Sequence, residues 1–241
     1  MMKKREFTLT VELLNAYKEN AIKNSTSLLE ESQILFSRNR WARGYFLSCA
    51  SIEEAGKAFL AFNSVNRNLS NAAVQHSIKL DFENHNMKLL AGLGSLMIKR
   101  GTNLATINHF LDINSYLLSG REKSLYADVN NDGTLTLPES LVPPKGAADS
   151  IRLAEDSLLA TTEYMSNNSP KFFSAMDDKA YTISRNHQIQ KLMSTSDFWY
   201  FYIDVISSKQ STSEDCLNVA IARYYERFYS KGKLWGKEKA P

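Results

Sequence analysis

The sequence predicts a mostly α-helical fold: a bundle of about five long helices, a small β-hairpin inserted in it, and further helices at the C-terminal end. Three observations support this prediction. Only 10 glycines and 5 prolines occur in 241 residues, which favours long helices over tight turns. Apolar residues recur at spacings of three, four and seven over long stretches of the chain. The 43% apolar content is that of a globular protein with a hydrophobic core.

The first two helices are predicted from caps and periodicity. Thr10 is a candidate N-cap for a helix that runs to about Phe36 and has one apolar face. After a polar break at 37–40, a second helix is predicted from Trp41 to Val65. This second helix is apolar around most of its circumference, so we expect it to be the central, most buried element.

The middle of the chain continues with helices and then changes pattern. A third helix is predicted over 73–99 and a fourth over 104–118, separated by Gly101. Short β-prone segments on either side of Asn-Asp-Gly133 then predict a hairpin. Prolines follow the hairpin, and a fifth helix is predicted over 146–165.

The best internal boundary is the polar stretch that ends at Pro170. We therefore expect a helical core over residues 1–168, with its hairpin near 122–140. Residues 169–241 are expected to form a C-terminal helical extension packed on this core. Three weaker helices are predicted within the extension, over residues 171–193, 197–206 and 213–229.

Composition and motifs exclude several classes of protein. The net charge of +3 is too small to indicate nucleic-acid binding by itself. The N-terminal residues lack the apolar segment of a secretory signal, and no apolar run approaches the ~20 residues of a membrane span. The two cysteines do not suggest a disulfide framework, and the glycine-rich motifs of nucleotide-binding enzymes are absent from the sequence. We expect a cytoplasmic protein with no membrane association.

Three charged residues interrupt the apolar second helix, and burying them unpaired would be costly. Glu53 and Lys57 are four residues apart, so they lie on one helix face and can pair with each other. Glu54 lies on a side with several alanines, where a neighbouring helix could approach and bring a basic partner. The group is either a buried polar cluster that sets helix register or part of a functional site. A di-metal site is excluded, because no histidine follows a glutamate at Glu-x-x-His spacing.

Three motifs in a fixed order resemble those of the AbiV family of bacterial abortive-infection proteins, which belongs to the HEPN group of helical bundles. Residues 40–57 form an apolar helix that ends in Glu-Glu-Ala-Gly-Lys, as in the family's second helix. His85-Asn-Met-Lys88 is similar to the family's His-x-x-Lys. Residues 121–128 are similar to its Arg-x-x-x-Leu-Tyr-x-Asp. The resemblance covers about residues 10–166.

The resemblance implies phage defence, in which the infected host is arrested by an action on RNA or on the translation apparatus. It also implies a homodimer and partners such as RNA, the ribosome or a phage protein. Many HEPN relatives are metal-independent ribonucleases with an Arg-x4-6-His motif. Here only Lys79 and His85 have that spacing, and lysine lacks the planar fork of arginine.

On this resemblance the candidate catalytic residues are His85, Arg121, Lys57, Glu53, Glu54, Lys88 and Tyr126. His85 would act as general acid or base, Arg121 or Lys57 would stabilise charge on the phosphate, and the glutamates would orient these groups. The alternatives are that His85 is an ordinary surface or core histidine, and that the protein is a non-catalytic interaction protein.

A second candidate site follows Tyr126. Residues 128–139 fit the EF-hand calcium loop, with Asp128, Asn130, Asp132 and Glu139 at oxygen-ligand positions. The prolines that follow are incompatible with the usual exiting helix, and the same residues make a good hairpin. We expect no cofactor, with calcium as the alternative.

Two aromatic stretches lie in the C-terminal extension. Residues 223–235 interleave basic and aromatic residues, which predicts either an RNA contact or an amphipathic helix with Tyr224, Phe228 and Leu234 on the core. Residues 198–202 are five aromatic residues in succession, which is more typical of a core or a dimer interface than of base stacking.

Overall fold

The computed structural model describes residues 7–101, 103–129, 131–184, 195–207 and 216–236. These residues form ten α-helices, one short 3-10 helix and one two-stranded antiparallel sheet. The predicted fold class, a mostly α-helical protein with a small β-hairpin, is confirmed.

The first half of the described chain is entirely helical. Its helices are α1 Val11–Ser37, α2 Trp41–Ser64, α3 Ala72–Glu83, α4 His85–Arg100 and α5 Leu104–Lys123. The predicted cap of α1 is present, because the Thr10 side chain accepts a hydrogen bond from the Leu13 backbone N–H.

The hairpin and the last long helix of the bundle follow α5. They comprise β1 Asp128–Val129, β2 Leu135–Thr136, the short helix α6 Pro138–Leu141, and α7 Pro144–Asn167. The strands are antiparallel, with Asp128 opposite Thr136. Gly133 has a φ of 80°, which glycine adopts without steric cost and which allows the tight turn between the strands.

Three helices follow the predicted boundary. They are α8 Ala175–Ser184, α9 Ser196–Ser207 and α10 Cys216–Arg227, with a 3-10 turn at Tyr229–Lys231. The helix predicted over 171–193 begins later than predicted, at Ala175, because residues 171–174 are not helical, and the helix predicted over 213–229 agrees with α10 as far as Arg227. Their remaining parts, residues 185–193 and 213–215, lie outside the described residues.

The single helix predicted over 73–99 is wrong, because the structure contains two helices there. Asn84 separates α3 from α4 with extended backbone angles (φ −84°, ψ 113°). Its side chain accepts a hydrogen bond from the Met87 N–H and so caps α4. Apolar residues continue on both sides of this break, so periodicity alone does not reveal it. The break places His85 in the first turn of α4.

The core is built around α2, which packs against α1, α4 and α7. Small residues allow these close contacts. Buried hydroxyl pairs join the helices: Ser25 with Ser51 at 3.0 Å between α1 and α2, and Ser48 with Ser150 at 2.7 Å between α2 and α7. The expectation that α2 is the most buried element agrees with its long run of buried residues.

Among the described residues, α8 contacts the bundle around Arg67 and through the Tyr181 hydroxyl, which donates to Asp81 of α3 at 2.7 Å, and α9 and α10 contact it elsewhere. Arg67, just after α2, pairs with Asp178 of α8 at 2.9 Å, and both side chains are buried. The Arg67 guanidinium lies 3.8 Å from the ring centroids of both Phe173 and Tyr181. The helices α9 and α10 pack on Ile107 of α5 through a largely aromatic cluster.

That aromatic cluster contains rings from both of the aromatic stretches in the C-terminal extension. Phe198, Trp199 and Phe201 are buried, as are Tyr224 and Phe228. These rings are therefore core residues and not a stacking platform for bases. The expectation for Leu234 is wrong, because its side chain is 42% exposed.

Within the described ranges, no helix has both the length and the apolar content that crossing a membrane would require.

Candidate functional site

Glu53 is a buried carboxylate in α2 that meets basic side chains from two other helices. Its Oε2 lies 2.7 Å from His85 Nδ1 and 3.0 Å from Lys88 Nζ, both on α4. Its Oε1 lies 2.8 Å from Arg121 Nε on α5. We call Glu53, His85, Lys88 and Arg121 the Glu53 cluster. The sequence motifs that contain these residues are far apart in the chain, and the fold brings them together.

Two glycines allow α4 to come close enough to form this cluster. A Cβ atom built on Gly56 would lie 1.8 Å from the Lys88 carbonyl oxygen. A Cβ atom built on Gly92 would lie 2.5 Å from the Ile52 carbonyl oxygen. The helices α2 and α4 therefore touch backbone to backbone, and the first turn of α4 lies beside Glu53.

Exposure changes steeply across the cluster. Glu53 is 4% exposed and Lys88 is similarly buried, whereas the His85 side chain is 48% exposed. A carboxylate can only accept hydrogen bonds, so the proton between Glu53 and His85 belongs to Nδ1. In the neutral ring, Nε2 is then the acceptor, and no described residue bonds to it. The arrangement presents a basic nitrogen at the protein surface, held in place by a buried carboxylate.

The contact between Arg121 and Glu53 is an ion pair without a well-directed hydrogen bond. The two atoms are close, but Glu53 Oε1 and Arg121 Nε are both buried without a hydrogen-bond partner among the described residues, because the N–H direction is unfavourable. The guanidinium also lies 5.4 Å from the Phe46 ring centroid. The Nε–H of Arg121 is thus an unpaired donor inside the protein, and what the surface sees of Arg121 is the 18% of its side chain that is exposed.

The cluster carries excess positive charge. One carboxylate, Glu53, faces the two permanent cations Lys88 and Arg121. A further acid, Glu122, is 3.9 Å from Arg121 and largely exposed, so it neutralises little of that charge. A small anion such as a phosphate group would be attracted to this part of the surface.

Glu53 and Lys57, whose spacing would allow them to pair, do not pair in the structure. Lys57 bonds to Glu54, three residues away, and not to Glu53. Both spacings lie on one helix face, but α4 occupies the side of Glu53 and leaves Glu54 as the partner for Lys57. A basic partner from a neighbouring helix was expected for Glu54. The basic residues of α4 contact Glu53 instead, because α2 and α4 approach each other at Gly56. The Glu54–Lys57 pair lies near Tyr17 of α1, whose pKa burial raises.

Tyr126 lies apart from the cluster. Its side chain is 64% exposed, just beyond the end of α5. In the part of the chain that the structure describes, no hydrogen bond or ion pair joins its hydroxyl to the other candidate residues.

The candidate calcium loop is a hairpin in the structure. Asp132 Oδ1 accepts hydrogen bonds from the backbone N–H and hydroxyl of Thr134, which hold the turn and lower the pKa of this carboxyl. Asp128 accepts from the Val129 N–H. Asn130 lies outside the described residues. Among the described residues, no three acidic, histidine or cysteine side chains converge as metal ligands, so calcium binding here stays a prediction.

Lys79, the residue at the ribonuclease-like spacing from His85, has another partner. Its ammonium bonds to the Phe7 carbonyl oxygen and lies 4.5 Å from the Phe7 ring centroid. Sequence reasoning missed the two positioning features of the cluster, the contact between Gly56 and Gly92 and the cap at Asn84. Isolated glycines inside apolar helices were the available signal.

Comparison with known proteins identifies the family of the chain. The family model described as AbiV, of the HEPN group, matches residues 13–159, which is more than half of the chain. All members of the Glu53 cluster lie within the matched region. No curated protein and no solved structure matches the chain.

Proposed function

Because the chain belongs to the AbiV family of HEPN proteins, we propose that it is an antiviral effector of abortive infection. In this proposal it arrests the infected bacterial cell by acting in the cytoplasm on RNA or the translation apparatus. The observation that carries the proposal is the Glu53 cluster, in which a buried carboxylate orients a half-exposed histidine beside two cations.

The chemistry that this geometry supports best is metal-independent cleavage of RNA. His85 Nε2 would take the proton of a ribose 2′-hydroxyl, whose oxygen then attacks the adjacent phosphorus. Negative charge that develops on the phosphate oxygens would be stabilised by the positive charge of the Arg121 guanidinium, whose side chain is 18% exposed. The imidazolium would return the proton to the leaving 5′-oxygen, which leaves a 2′,3′-cyclic phosphate on the other fragment.

In this proposal the remaining candidate residues position the reacting groups or compensate their charge. Glu53 fixes the ring orientation of His85, and Lys88 compensates the buried charge of Glu53. Lys57 and Glu54 pair with each other along α2, near Tyr17 of α1, and exposed Tyr126 is free to contact a substrate. We also propose that the chain forms a homodimer.

The second candidate function is a non-catalytic interaction protein that binds a phage or ribosomal protein. Exposed apolar residues at the hairpin favour it. Val129 is 62% exposed and Leu135 is 72% exposed, and Tyr126 and Leu137 nearby are also exposed. Large apolar side chains that cluster on a surface are typical of protein contacts.

The test is expression of wild-type and His85→Ala proteins in bacteria, with growth, the melting curve and the sequences of cleaved RNA ends as measurements. If His85 is catalytic, the substitution abolishes growth arrest and the cleaved ends while the melting curve stays unchanged. His109→Ala is the matched control, because His109 is also an exposed helical histidine but lies outside the cluster.

The other results separate the two functions. Growth arrest that persists in His85→Ala, without cleaved RNA ends in either protein, contradicts the ribonuclease. Loss of arrest in Leu135→Asp with His85→Ala still active would then support the interaction protein.

A further inference from the structure

A cavity of about 300 Å³ lies between the helical bundle and the C-terminal helices, away from the Glu53 cluster. Helices α2, α4 and α5 form one side of it, and α9 and α10 form the other. For comparison, an engineered apolar cavity of ~150 Å³ binds benzene. A volume twice as large accommodates roughly a dozen carbon-sized atoms.

The lining determines the chemical class of a ligand. Leu90, Met97, Phe110 and Trp199 are among the side chains that surround the space. None of the described residues that line it is charged. A carboxylate or ammonium group inside the cavity would therefore lose its hydration without gaining a counter-charge, which is strongly unfavourable.

Asn63 of α2 contributes a polar side chain to the lining. The amide of Asn63 donates from Nδ2 to the Phe59 carbonyl oxygen at 3.0 Å. Its Oδ1 accepts no hydrogen bond from any described residue, so it can accept one from a hydroxyl group. A few polar groups in an otherwise apolar pocket are what small-molecule sites use to orient their ligands.

The surroundings of Gly94 on α4 are independent evidence for the cavity. A Cβ atom built on Gly94 meets no heavy atom within 4 Å, whereas Gly56 and Gly92 are in tight backbone contact. Gly94 therefore faces open space in the middle of a helix, where glycine is otherwise unfavourable. Ile98 also lines the cavity and is half exposed, so the space reaches the surface there.

We propose that this cavity binds a neutral, apolar molecule with one hydroxyl group, of about the size of a ten-carbon alcohol. The ligand contacts both the bundle and α9–α10, so its binding stabilises the packing of the C-terminal helices on the core. This site is separate from the Glu53 cluster, and its occupancy does not depend on the proposed ribonuclease activity.

The test is a thermal melt of the full chain with 1-decanol and, in parallel, with decanoate at pH 8. We expect 1-decanol to raise the melting temperature in a concentration-dependent way, because it binds only the folded state. Decanoate should produce little or no rise. Gly94→Leu fills part of the cavity and should abolish the rise, whereas Gly94→Ala, the matched control, should retain it.

Quenching of tryptophan fluorescence measures binding directly and tests the proposal even if Gly94→Leu does not fold. In a variant with Trp41→Phe and Trp235→Phe, Trp199 is the remaining tryptophan, and a brominated alcohol bound in the cavity should quench its fluorescence. The proposal is overturned if 1-decanol causes neither a rise nor quenching in otherwise wild-type protein. It is also overturned if Gly94→Leu shows the same rise as wild type, or if decanoate binds as well as the alcohol.

Discussion

Gly56 of α2 lies directly against the backbone of Lys88 of α4, so closely that a Cβ atom on Gly56 would be 1.8 Å from the Lys88 carbonyl oxygen. This contact determines where the first turn of α4 lies. It therefore also determines that Glu53, and not Glu54, receives the basic partners from α4. The identity of one small residue therefore controls the assembly of the Glu53 cluster.

We expect Gly56→Ala to destabilise the protein by about 3 kcal/mol or more, because two helix backbones must separate to admit one methyl group. Gly94→Ala is the matched control. It places the same methyl group in open space and should stabilise the protein by up to about 1 kcal/mol through helix propensity. Urea unfolding of both variants measures the difference, and similar losses at the two positions would contradict the close contact.

Glu53→Ala should cost about 3–5 kcal/mol, because it leaves the buried ammonium of Lys88 and the guanidinium of Arg121 without a counter-charge. Glu54→Ala removes a neighbouring carboxylate from a more exposed pair and should cost about 1 kcal/mol or less. Chemical denaturation of the two variants compares them. Equal losses would mean that Glu53 does not compensate these cations in the folded protein.

Asp178→Ala should detach α8 from the bundle, because Asp178 holds both the Arg67 guanidinium and the Asn68 backbone N–H. We expect faster proteolysis near residues 171–184 and a loss of about 3–5 kcal/mol. Glu163→Ala breaks an exposed pair with Lys99 and should change the stability by about 0.5 kcal/mol or less. An unchanged proteolysis pattern in Asp178→Ala would rule out this pair as the attachment.

Cys49 should resist alkylation in the folded protein. It is fully buried in α2, and burial raises the pKa of its thiol to about 12, so the reactive thiolate is scarce at pH 8. Peptide mass spectrometry after iodoacetamide treatment should find Cys49 modified only when the protein is unfolded. Rapid labelling of Cys49 under native conditions would show that α2 opens locally.

The raised pKa of the Cys49 thiol also predicts that the stability of the protein depends on pH. Above pH ~9 the thiol of the unfolded chain ionises while the buried thiol of Cys49 stays protonated. The unfolded state then binds fewer protons than the folded state, so the free energy of unfolding falls as the pH rises. The stability advantage of wild type over Cys49→Ala should therefore decrease by about 1 kcal/mol between pH 8 and pH 10. A constant difference between the two proteins would contradict the raised pKa.

Most helix positions could be predicted from local patterns. The cap at Thr10, the break after α1 and the hairpin turn at Gly133 each depend on residues close in sequence, and the structure contains all three. The division between α3 and α4 could not be predicted in this way. Asparagine is a cap residue that also occurs inside helices, so the residue type at position 84 does not by itself distinguish a helix break from a continuous helix.

By itself, the sequence determined the helical class, the family resemblance and the set of charged residues that needed partners, since helix periodicity and the cost of burying charge are local properties. Tertiary structure alone decided which partner each charge received. Lys57 could reach either Glu53 or Glu54 along α2, and the choice depended on where α4 crosses it. That crossing is a contact between two backbones far apart in the chain, and its energy comes from packing, which no spacing within one helix encodes.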